Sequence, residues 1–110
     1  MIYVILGKLS KATADSLASD APEKQSAEER ESEIRSVVEH ARINGTLEDV
    51  VWTLGEYDVV ITIDVPSPEK GGAAALALAT RIGISTTTLT GFKTASLQRV
   101  MDDSSGYGSH

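Results

Sequence analysis

The stretch LEDVVWTLGEYDVVITIDV, Leu47 to Val65, decides the fold. It holds two runs rich in β-branched and aromatic residues, separated by Gly55-Glu56. Such runs read as strands, and a two-residue connection with Gly first suits a type II′ hairpin. A hairpin turn also fixes the register, because side chains alternate between faces. With Leu54 opposite Tyr57, Trp52 faces Val59 and Val50 faces Ile61. One face then carries Val50, Trp52, Leu54, Tyr57, Val59, Ile61 and Ile63 and must be covered. The other carries Asp49, Val51, Thr53, Asp58, Val60, Thr62 and Asp64, a mixture of Val with Thr and Asp.

Upstream, SAEERESEIRSVVEHARING predicts a helix over Ala27–Ile43. Ser26 and Glu29 have capping-box spacing. Ile34, Val37, Val38 and Ala41 form one helical stripe, and Gly45 is a stop signal. Downstream, PSPEKGGAAALALATRIG predicts a second helix, with Ser67 as cap, Pro68 at the first position and Gly83 as terminator. IYVILG at the start and ISTTTLTGF near the end complete four strands. Residues 9–25 read as a loop, with a short helical turn possible over Ala12–Leu17, and 102–110 (DDSSGYGSH) as a disordered tail.

Strand, helix, strand, strand, helix, strand is the split βαβ order. The expected fold is α+β and ferredoxin-like, with a four-stranded antiparallel sheet and two helices on one face. Strands one and three, the most apolar, belong in the centre. The helix-free face would expose Val60 and part of IYVILG, and an apolar patch of that kind calls for a partner. A second copy packed sheet to sheet, giving a homodimer, is the expected solution.

Composition narrows the function. A chain of 110 residues is one domain. The absence of Cys excludes disulfides, thiolate catalysis and thiolate metal sites. A net charge of −6 argues against nucleic-acid or anionic-membrane partners. The start, MIYVILGK, has neither the basic region nor the cleavage pattern of a signal peptide. A cytoplasmic protein is the expectation, with no cofactor.

YVILGK, VVWTLGEYDVVITIDVPSPE, AAALALATRIG and TTTLTGF together resemble the GYD family, small bacterial and archaeal proteins named for a Gly-x-Tyr-Asp signature. Here that signature falls on Gly55, Tyr57 and Asp58. The resemblance covers residues 1–8 and about 45–95. It places one GYD-like domain at 1–101 and implies the dimeric α/β-barrel superfamily. That superfamily contains cofactor-free monooxygenases, isomerases and cyclases, haem-binding enzymes and ligand-sensing modules. The segment Lys11–Gln25 is longer than usual for the family, and the last strand has Thr in place of charged residues.

The candidate site residues carry competing readings. Trp52 and Tyr57 are candidate ligand-binding residues, as an aromatic wall between sheet and helices; core packing is the alternative. Gly55 serves the turn. Asp58 would cap the turn's backbone N–H groups, anchor the interface or act as a base. Tyr57 and His40 are the candidates for proton transfer, although His40 at the margin of the helical stripe also suits solvent. His40 and His110 without Cys make only a weak metal or haem set, with His40 as the one candidate haem ligand. Gly71-Gly72 lacks the spacing and Lys of a phosphate loop, and EERESE is a solvated helix face. The favoured function is a small-molecule-binding or accessory module. The alternative is a cofactor-free enzyme acting on a small organic substrate in a pocket between sheet and helices.

Overall fold

The computed structural model of the chain describes residues 1–11, 15 and 26–106. The elements are β1 (Ile2–Leu9), α1 (Ala27–Val38), β2 (Thr46–Trp52), β3 (Val59–Asp64), α2 (Pro68–Ala77), a π-helical turn (Leu78–Ile82), β4 (Ile84–Gly91) and α3 (Thr94–Gly106). Every strand pair is antiparallel and the sheet order is β2-β3-β1-β4. The fold is therefore α+β, a four-stranded antiparallel sheet with three helices among the described residues, not two. The inner strands, β1 and β3, are the apolar ones.

The central register follows the alternation. Trp52 lies opposite Val59, Val51 opposite Val60, Val50 opposite Ile61 and Asp49 opposite Thr62. Val59, Ile61 and Ile63 are 0% exposed, while Val60, Thr62 and Asp64 between them are half-buried on the open face. β1 matches this: Ile5 opposes Ile61 and Gly7 opposes Val59, and both are buried. Continued without change, the alternation would set Glu48 against Ile63. A bulge between Leu47 and Asp49 instead sets Leu47, 7% exposed, opposite Ile63. The extra residue thus keeps a carboxylate out of the core, where an unpaired charge is costly.

The turn itself differs from the two-residue expectation. The Thr53 N–H donates to the Asp58 carbonyl at 2.9 Å, which encloses four residues, Leu54 to Tyr57. Gly55 has φ 137, outside the type II′ geometry and open mainly to glycine. Leu54 is 103% exposed, so it leaves the apolar face assigned to it.

α1 opens where expected: the Ser26 hydroxyl accepts the Glu29 N–H at 3.2 Å. It ends at Val38 and not at Ile43. The Arg42 N–H donates to His40 Nδ1 at 3.1 Å, and the Val38 carbonyl instead accepts the Gly45 N–H at 3.0 Å. A side chain that competes for backbone groups in this way terminates a helix. Asn44, at φ 55, completes the reversal, and Ile43 stays buried in the turn that follows.

α1 and α2 cover one face of the sheet. Ile34 and Val38 of α1, Ala74 of α2, and Leu78 and Ile82 of the π turn join Ile5, Val59, Ile61, Ile63 and Ile84 in one core. Ser67 caps α2 by accepting the Lys70 N–H at 3.3 Å, and Gly83, at φ 78, closes the π turn. Leu9 is the last residue of β1, and Lys11 and Asp15 are helical. The rest of the expected 9–25 loop lies outside the described residues. α3 corrects the expected tail: residues 102–106 are helical, and 107–110 lie outside the described residues.

α2 packs tightly on the Tyr3 ring of β1 at Gly71, where a Cβ would sit 2.6 Å from Tyr3 Cε2. At Gly72 a Cβ would meet nothing within 4 Å. Opposite effects are therefore expected from neighbouring substitutions. Gly72→Ala should stabilise by about 0.5–1 kcal/mol through helix propensity. Gly71→Ala should lose about 1–3 kcal/mol through overpacking, more than that gain returns. Urea unfolding of both variants checks the pair, and equal effects would contradict the packing described.

Candidate functional site

The hairpin residues do not converge on a pocket. Trp52 stands on the covered face opposite Val59, half-buried and packed on the core. Tyr57 precedes β3, so the strand alternation that places Trp52 no longer governs it. Its ring lies 5.6 Å from the Lys8 ammonium, a cation–π contact. Lys8 follows the buried Gly7 and stands on the opposite, open side of β1.

Asp58 acts as a clasp. Its carboxylate accepts the Leu9 N–H at 2.8 Å. Its own N–H donates to the Gly7 carbonyl at 2.8 Å, and its carbonyl accepts the Thr53 N–H at 2.9 Å. The Thr53 hydroxyl donates to the Tyr57 carbonyl at 2.6 Å. Asp58 therefore ties the hairpin to the end of β1, where β3 supplies no further ladder partner. The expected cap on its own turn is replaced by a cap on a neighbouring strand. The aspartate of the signature is structural in this arrangement.

A groove of about 350 Å³ lies elsewhere, between α1 and α2 on the helical layer. Its walls are Val37, Ile43, Ala73 and Ala77. Its polar groups come from Ser36, His40, Arg42 and Arg81. The size and the apolar lining with few polar groups suit a small ligand. Each position has a local cause. The early end of α1 brings His40, Arg42 and Ile43 around the helix end. The π turn sets Arg81: its i→i+5 bonding turns each residue by less than the roughly 100° of an α-helix. Arg81 is thereby brought back toward the line of Ala73 and Ala77.

The geometry at His40 defines its chemistry. Nδ1 accepts the Arg42 N–H, so the neutral ring carries its proton on Nε2. The neutral imidazole is then a donor at its free nitrogen, while Nδ1 is turned to the backbone. His40 also lies at the end of the sheet away from Tyr57. The end of α1 is joined to the start of β2 by Gly45, beside Val65. Tyr57 lies past the other end of β2, seven residues along or roughly 20 Å at strand rise. The two proton-transfer candidates therefore belong to different places.

Among the described residues, no three His, Asp or Glu side chains are placed to hold a metal ion. No described helix is long and apolar enough to cross a membrane. The sequence reading singled out His40 but not Ser36, Arg42 or Arg81. The available signals were the i,i+4 pair of Ser36 and His40 and the lone Arg in the last turn of an Ala-rich helix. Neither signal joins two helices about forty residues apart.

Comparison with known proteins adds the family. The GYD domain family matches residues 3–101, and the chain belongs to it. No curated protein and no solved structure matches.

The clasp makes the signature aspartate a stability determinant. Asp58→Ala leaves the Leu9 N–H without its acceptor and should cost about 1–3 kcal/mol, while Asp58→Asn, which keeps an acceptor, should cost less. Amide hydrogen exchange gives the local readout: Leu9 should lose protection in the alanine variant. Unchanged protection there would rule out the clasp.

Proposed function

We propose that this GYD-family protein is a small-molecule-binding module that works as a homodimer and performs no chemistry of its own. The observation that carries the reading is the groove between α1 and α2, apolar along its walls and polar at a few points. Its side chains suit holding a ligand better than transforming one. His40 has its Nδ1 lone pair engaged, and Tyr57 lies at the far end of the sheet. His40 and Tyr57 are therefore too far apart to act as an acid–base pair on one bound molecule.

The open sheet face supports the dimer. Across one row, Val51, Val60 and Leu6 are neighbours; across the next, Val4 and Leu89 stand beside Thr62. Val51 and Leu89 are each 47% exposed. A second copy covering this face would bury these rows in the sheet-to-sheet manner of a ferredoxin-like α/β barrel. The two grooves of such a dimer lie on the outer helical layers and remain open.

Two measurements test this reading. Light scattering after size exclusion should give twice the chain mass, and Val60→Lys should give a folded monomer. A wild-type chain that stays monomeric at micromolar concentration defeats the dimer. A fragment screen by ¹⁵N-edited NMR should find ligands that shift amides in 36–43 and 73–81. A screen in which no fragment shifts these amides defeats the binding site.

A further inference from the structure

We infer that the groove between α1 and α2 is a site for a small organic carboxylate with an apolar body, its carboxylate held by Arg42 and Arg81. This rests on the reading of the groove as a ligand site and names the ligand class. The chain as a whole is acidic, with 16 Asp and Glu against 10 Lys and Arg. The groove departs from that balance. It is lined by two guanidinium groups and an imidazole, and by no carboxylate. Neither Arg42 nor Arg81 has an ion-pair partner among the described residues, whereas Arg30 and Arg35 pair with Glu33 and Glu39. Lys70 adds charge nearby, its ammonium donating to the Arg42 carbonyl. Glu33 lines the adjoining groove, which Arg81 also borders, and it holds Arg30 at 3.2 Å.

The chemistry selects a carboxylate over a phosphate. Guanidinium groups bind either anion in a two-point mode. Phosphate sites, however, draw on helix N-termini and backbone N–H nests. Here the groove sits at the C-terminal end of α1, whose carbonyl dipoles disfavour a dianion. A single negative charge on a planar group suits two guanidinium groups and the N–H of His40. Val37, Ile43, Ala73 and Ala77 then take the apolar body. At about 30 Å³ for each non-hydrogen atom, the volume water takes in the liquid, the space holds roughly a dozen of them. That is the size of an arylalkanoic acid.

The test uses the full-length protein with three probes: 3-phenylpropanoate, its neutral amide and inorganic phosphate. In ¹⁵N-edited NMR titrations the acid should shift amides of 36–43 and 73–81 saturably. It should bind at least tenfold more tightly than the amide or phosphate. Arg42→Gln and Arg81→Gln, both at exposed positions, should keep the wild-type spectrum outside the groove and each weaken the acid about tenfold. Arg→Lys at either position should restore little, since Lys lacks the planar fork. Equal binding of acid and amide in the groove overturns the carboxylate assignment while leaving a ligand site in place. Tighter binding of phosphate overturns it in favour of a phosphate site. Acid that shifts no groove amide at millimolar concentration overturns it too, and the fragment screen then decides separately whether the groove binds anything.

Discussion

A one-residue slip of β3 would exchange Val59, Ile61 and Ile63 for Val60, Thr62 and Asp64 on the covered face. Burying a Val or Ile side chain contributes roughly 1.5–3 kcal/mol, so three of them outweigh most of what a small domain has in reserve. That constraint fixes β3, and the other parts are set against it. β2 absorbs a bulge so that Leu47, not Glu48, meets Ile63. β1 brings Ile5 and Gly7 beside Ile61 and Val59, and Gly7 has no room for a Cβ, which would lie 2.6 Å from Ile84 Cγ2. The Asp58 clasp closes the end of the same strand.

The alternation explains how much of the fold was legible in the sequence. Period-two patterning names the partners across β2 and β3 because only one register sets Val50, Val59, Ile61 and Ile63 together on the covered face and leaves the aspartates outside. The helix starts were legible for a similar reason, since Ser26 and Ser67 satisfy orphan N–H groups at fixed spacing. What escaped depends on contacts no period reports. The hairpin connection is four residues because Asp58 is drawn toward Gly7 and Leu9 of β1. α1 stops at Val38 because His40 captures the Arg42 N–H. α3 was hidden because QRVMDDSSG is polar and small, although Leu97, Val100 and Met101 recur at helical spacing.

The candidate site was less legible than the fold. Trp52, Tyr57 and His40 stand out by residue type, and type alone does not say which of them meet. Tyr57 and His40 end up at opposite ends of β2. The groove arises only when the sheet brings α1 and α2 side by side, so its two arginines, 42 and 81, share no local pattern. The resemblance to the GYD family helped with the domain and gave no site, since the aspartate of its signature is spent on a backbone hydrogen bond.

The location of the groove follows from how small the core is. The expected pocket lay between sheet and helices, where Ile5, Ile34, Val38, Val59, Ile61, Ile63 and Leu78 are each 0% exposed. Hollowing a ligand site there means truncating such residues, at about 2–5 kcal/mol for each large-to-small change. A domain of this size has on the order of 5–15 kcal/mol in total, so two or three truncations would consume much of it. A groove on the outer side of the helical layer removes nothing from the core. It needs only small residues where the helices face it, Ala73 and Ala77, and an irregular helix end that leaves His40, Arg42 and Ile43 around an opening. The same economy separates the two surfaces. The open sheet face and the grooved helical layer lie on opposite sides of the packed core, so neither has to be cut into it.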